Sequence, residues 1–82
     1  MDIHDNQARH CFETEIDGCR AFLDYTRAGG TLFIQHTEVP SALGGRGVGS
    51  ALVRHACDVA SSEGLKVVSH CSFATKWIKK NI

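Results

Sequence analysis

Val39-Pro40-Ser41-Ala42-Leu43-Gly44-Gly45-Arg46-Gly47-Val48-Gly49-Ser50-Ala51-Leu52 is where the chain passes from strand to helix. An apolar run ends at Val39, and Pro40, which cannot donate to a sheet ladder, closes it. Glycines at 44, 45, 47 and 49 then open into an amphipathic segment. Glycine permits positive φ and lets the backbone approach a ligand closely. The helix that follows turns its free N–H groups and the positive end of its dipole toward the same point. Together these features describe an anion site, and phosphate is the usual anion.

Downstream, the helix is expected from Arg46 or Gly47 to Glu63. Val48, Leu52, Ala56 and Ala60 form one apolar stripe, widened by Val53, Cys57 and Val59, with Arg54 and Asp58 opposite. Gly64 stands at the C-cap position, and Leu65–Val68 reads as a short strand. A last helix follows with Ser72 as N-cap, carrying Phe73, Ala74, Trp77 and Ile78 inward and Lys76, Lys79 and Lys80 outward.

Upstream, Thr31–Val39 is a strand. Leu32-Phe33-Ile34 is apolar on both faces and suits a central position covered on each side. Strict alternation places His36 and Glu38 on the face of Ile34, and Thr37 and Val39 on the other. Earlier still, Asp17-Gly18 is a two-residue hairpin signal between His10–Ile16 and Cys19–Thr26. That turn pairs Ile16 with Cys19, Thr14 with Ala21, Phe12 with Leu23, His10 with Tyr25, Glu15 with Arg20 and Glu13 with Phe22. One face is then mainly apolar and the other carries an opposite-charge pair. Residues 1–8 are polar and are expected to form a flexible lead-in. The order β-β-β-α-β-α predicts an α/β (α+β) fold, a mixed sheet packed on one long central helix, with residues 1–82 as a single domain.

Composition limits the function classes. Nine basic and nine acidic residues cancel, so the long-range attraction on which nucleic-acid binding leans is missing. No apolar run approaches the ~20 residues of a membrane helix. Met1–Asn6 has no basic segment followed by an apolar one, so the four cysteines (11, 19, 57 and 71) are read as reduced thiols in a cytoplasmic protein. There is no Cys-x-x-Cys pair, and His55 and Cys57 leave a helix on different faces, so no metal site is expected.

The glycine loop fits neither common nucleotide motif. No Lys-Ser or Lys-Thr follows the glycines, as a P-loop requires, and Ser50 stands where the dinucleotide fingerprint needs its third glycine. Instead, His36-Thr37-Glu38-Val39-Pro40, Gly44 through Val53, Gly64-Leu65-Lys66-Val67-Val68 and Cys71-Ser72-Phe73 resemble the small GNAT-type N-acetyltransferases over roughly residues 10–80. The resemblance implies acetyl-CoA as cofactor and an amine, small molecule or protein, as acceptor. It also implies that the backbone of Gly44, Gly45, Arg46, Gly47, Val48, Gly49 and Ser50 holds the pyrophosphate, with pantetheine beside Thr37 and Val39. One departure is Gly44, where the superfamily loop has glutamine or arginine. The amide cradle survives that change, and Arg46 is left as the side chain to reach a phosphate.

Three residues are candidates for the chemistry. Cys71 leaves a strand and precedes the last helix, whose dipole favours thiolate. In the resembling family a cysteine at this place is proposed to meet the thioester and accept the acetyl group. His36 has an ordinary pKa near 6.5, suited to taking an amine proton at neutral pH. Glu38 is its rival, since larger relatives use a glutamate in this strand. His70 points away from Cys71 if the backbone is still extended there. A coenzyme A-binding module without turnover, working with a partner, is the alternative to an enzyme.

Overall fold

The computed structural model describes residues 1–82. Its elements are β1 (His4–Asn6), β2 (Cys11–Ile16), β3 (Cys19–Ala28), β4 (Thr31–Glu38), a 3-10 turn (Ser41–Leu43), α1 (Val48–Glu63), β5 (Lys66–Ser69) and α2 (Ser72–Asn81). The sheet runs β1-β2-β3-β4-β5, with antiparallel pairs throughout except β4–β5, which is parallel across the α1 crossover. The mixed sheet on a long helix is as the sequence predicts. No helix is long and apolar enough to cross a membrane.

The hairpin forms in the predicted register, from Ile16 opposite Cys19 to Phe12 opposite Leu23. Asp17 and Gly18 both have positive φ, 53° and 76°, as a type I′ turn demands. Phe12, Leu23, Tyr25, Leu32 and Ile34 of the sheet meet Leu43, Val48, Leu52, Val53, Ala56 and Ala60 in one core, which Ala74 of α2 completes. Gly64 caps α1 in the left-handed region at φ 71°.

Four expectations are corrected. Residues 1–8 are not simply a flexible lead-in, because His4–Asn6 pairs with β2 as an additional strand. Long-range polar contacts hold it. Glu13 accepts from Asn6 Nδ2 and lies 3.0 Å from His4 Nε2, and Asp5 accepts from the Tyr25 hydroxyl. Second, β4 is irregular: Ile34 pairs with Tyr25, but His36 pairs with Asp24, leaving Gln35 as an extra residue. Such a bulge breaks alternation. It turns His36 and Glu38 away from Ile34's face and brings Thr37, opposite buried Leu23, to the core side. Third, Phe33 is only half-buried, because the face opposite α1 carries the polar side chains of Arg20, His36 and Glu38. Fourth, Phe73 is 45% exposed. It is N2 of α2, since the N-cap is Cys71 rather than Ser72.

Candidate functional site

After Val39-Pro40 the 3-10 turn drops Leu43 into the core, 1% exposed, and the Gly44 amide donates to Ser41 O at 3.0 Å. Gly45 and Gly47 then take φ of 76° and 74°, which only glycine adopts without strain. Gly47 is the N-cap of α1 and has no side chain to offer its first turn. Consequently the consecutive amides from Gly45 to Ser50 donate to no acceptor within the chain. Left-handed and right-handed residues in succession turn such amides toward one concavity, a nest for an anion. The α1 dipole adds to it.

All of the residues from Gly45 to Ser50 but Arg46 border a cavity of about 530 Å³ lined by residues 37–41, Leu43, Gly44, Gly45, residues 47–50 and Phe73. Thr37, Val39, Gly44, Gly45, Gly47, Val48, Gly49 and Ser50 are therefore brought together around one cavity. Arg46 is not among them. Its Nη1 lies 2.9 Å from Asp17 Oδ2 at the β2–β3 hairpin, both side chains exposed. No cationic side chain lines the cavity, so its attraction for anions comes from backbone. A Cβ on Gly49 would stand 3.0 Å from Phe73 Cζ, so that glycine also makes room for the aromatic wall.

Cys71 lies where β5 ends and α2 begins. Its thiol donates to Thr37 Oγ1 at 3.5 Å, so the β4 bulge is what brings the hydroxyl to the sulfur. Burial alone pushes this thiol up. The Ala74 amide, the Thr37 hydroxyl and the amides of Phe73 and Thr37 outweigh it, and the net direction is down. No hydrogen bond of full geometry caps α2 through the sulfur, yet the first-turn amides face it and favour the thiolate. By contrast, burial pushes Cys11 and Cys57 up. All four cysteines are free thiols.

Polar contacts fix this corner. Ser69 Oγ donates to Cys71 O at 2.9 Å and accepts from Cys71 N and Thr75 Oγ1, and Thr75 N donates to Cys71 O. The sequence reading missed Ser69, Thr75 and the hydroxyl of Thr37 as positioning groups. It also missed Pro40, Ser41, Leu43 and Phe73 in the cavity wall. Leu43, alone among small and polar residues, was the available signal for a buried turn.

His36 and Glu38 form a pair of their own, Nε2 to Oε1 at 2.9 Å, with side chains 57% and 54% exposed. Glu38 also borders the cavity, whereas His36 does not. His70 lies away from Cys71, with Nδ1 3.2 Å from Gln35 Oε1 and its ring over Phe33.

The unpaired amide row and the glycines required for it suit a phosphate-bearing ligand in polarity, while Cys71 is not among the lining residues and meets the cavity through Thr37. Comparison with known proteins supplies the family. Residues 11–82 match the model of a family described as GCN5-related N-acetyl-transferase. Protein NATD1 of Xenopus tropicalis is 40% identical over 81 residues, covering 95% of this chain and 73% of that protein. Protein NATD1 of Homo sapiens is 38% identical over 81 residues, covering 95% of this chain and 71% of its own length. With the fold, the cavity and a family match over nearly its whole length in agreement, the chain belongs to the GCN5-related N-acetyltransferase family.

Proposed function

We propose that this chain transfers an acetyl group from acetyl-CoA to an amine. The observation that carries the reading is the row of unpaired amides from Gly45 to Ser50 beside a cavity that reaches Thr37. Bound there, acetyl-CoA supplies an activated thioester. The Gly45–Ser50 amides hold its pyrophosphate, and the end of β4 at Thr37–Val39 directs the pantetheine arm toward Cys71.

Two routes are open to these residues. In one, the amine nitrogen attacks the thioester carbon directly, and the amine proton passes to the His36–Glu38 pair as the C–S bond breaks. In the other, the Cys71 sulfur attacks first. Its proton leaves with the departing coenzyme thiol, and the amine then displaces acetyl from Cys71, restoring the free thiol. The lowered Cys71 thiol and its Thr37 contact favour the second route. Calorimetric titration with acetyl-CoA, followed by intact-mass measurement, tests both. Binding with an acetyl adduct mapped to Cys71 supports the covalent route. Binding and turnover that survive Cys71→Ala leave direct attack, and absence of binding removes the whole reading.

A second reading is a coenzyme A-binding module without turnover. The exposure of His36 and Glu38, with side chains 57% and 54% exposed and His36 outside the cavity lining, favours it, since a catalytic base is usually more enclosed. It predicts acetyl-CoA binding without consumption across a panel of amines.

A further inference from the structure

A second hollow adjoins the amide cradle. It measures about 650 Å³ and is lined by Ser50, Phe73, Lys76, Trp77, Lys80 and Asn81. Ser50 and Phe73 also line the first cavity, so the two meet at the start of α1. Lys76 and Lys80 are four residues apart on α2, ~6 Å along its axis, and share one face. Both are exposed, and neither ammonium forms an ion pair or hydrogen bond. They are the only cationic side chains lining either hollow, and no carboxylate lines this one. Half-buried Trp77 gives it an aromatic wall, with the Arg54 guanidinium 5.4 Å from the ring centroid adding positive charge nearby.

We infer that this hollow receives the nucleotide end of coenzyme A, with Lys76 and Lys80 binding the ribose 3′-phosphate. The inference rests on the acetyl-CoA reading and extends it. The covalent order of the coenzyme is what connects the two hollows. Its 3′-phosphate is carried on the ribose joined directly to the pyrophosphate, so an anion held by the Gly45–Ser50 amides leaves the second phosphate one sugar ring away. Ser50 is the residue at which the hollows join. A phosphomonoester is matched by two mobile ammonium groups acting as point charges, and a purine by the flat apolar surface of an indole. The backbone cradle recognises pyrophosphate in any nucleotide, whereas the lysines make the protein selective for the 3′-phosphorylated one.

The test compares coenzyme A with 3′-dephospho-coenzyme A by calorimetry, and follows the intrinsic fluorescence of Trp77, the single tryptophan of the chain. Coenzyme A is expected to bind about tenfold more tightly at low ionic strength, with the difference shrinking as salt screens the exposed lysines. It should also perturb Trp77 emission. Lys76→Gln/Lys80→Gln removes the discrimination while leaving 3′-dephospho-coenzyme A affinity unchanged. Lys79→Gln, on the same helix but outside the lining, retains the discrimination and so separates a local contact from general loss of charge. All three substituted side chains are exposed, and thermal melting confirms that the variants stay folded. Equal binding of the two coenzymes, or discrimination that survives the double substitution, overturns the subsite while the acetyl-CoA reading stands. If neither coenzyme binds, both fall.

Discussion

Cys71 differs from Cys11 and Cys57 through what surrounds its sulfur. Burial opposes ionisation at Cys71 as it does at Cys11 and Cys57, but only at Cys71 do backbone amides and a hydroxyl outweigh it. Alkylation follows the thiolate fraction, so near pH 7 iodoacetamide should label Cys71 ahead of Cys11 and Cys57. Thr37→Val removes one stabilising contact and should slow that labelling about three- to tenfold at fixed pH. Peptide mapping with timed quenching measures both, and faster labelling of Cys11 or Cys57 would contradict the assignment. The position of Cys71 between strand and helix was readable from the sequence. Its Thr37 partner was not, because 34 residues separate them and the contact depends on a bulge. Arg46 shows the same limit: nothing local in Gly45-Arg46-Gly47 announces that its guanidinium turns to Asp17.

Among the elements, those defined by local rules were legible and those defined by remote partners were not. Asp17-Gly18 fixes the hairpin because both positions take positive φ, and the α1 stripe follows from period alone. The extra residue at Gln35 leaves no mark in Ile34-Gln35-His36, and β1 depends on Glu13 and Tyr25 contacts beyond its own sequence. The start of α1 allows a contrast between two neighbouring glycines. A Cβ at Gly47 meets nothing within 4 Å but is held at φ +74°, so Gly47→Ala should cost about 1–2 kcal/mol from backbone strain. Gly49→Ala crowds Phe73 at 3.0 Å, yet that ring is 45% exposed and free to yield. Replacing helical glycine returns up to about 1 kcal/mol, so the net change should be small. Thermal melts should therefore rank Gly47→Ala clearly below Gly49→Ala, and the reverse order would show that the aromatic wall is rigid.

At the scale of the whole molecule, two polar networks tie the amino-terminal strand to the rest. On one sheet face Glu13 accepts from Asn6 and from Arg20 Nε at 2.8 Å. On the other, Tyr25 donates to Asp5, and Arg27 reaches both the Tyr25 hydroxyl and Glu63 of α1. In a chain of 82 residues, whose core is necessarily modest, these networks matter to overall stability. Hydrogen bonds from Arg20 and then Asn6 hold the Glu13 carboxyl down at about 2, against an ordinary 4.5. Its folded pKa is depressed, so its stabilisation is complete above about pH 5 and is lost as acid carries the folded carboxyl through about 2. Glu13→Gln should therefore unfold more easily than the parent at pH 7, by about 2 kcal/mol, with the gap narrowing at pH 3 and closing near pH 2. Acid-labile contributions from other carboxylates are common to both chains and largely cancel in the difference. Urea unfolding of the two proteins at pH 7, 3 and 2 measures it, and a gap that stays constant across the series would show that Glu13 stabilises the fold by shape rather than by charge.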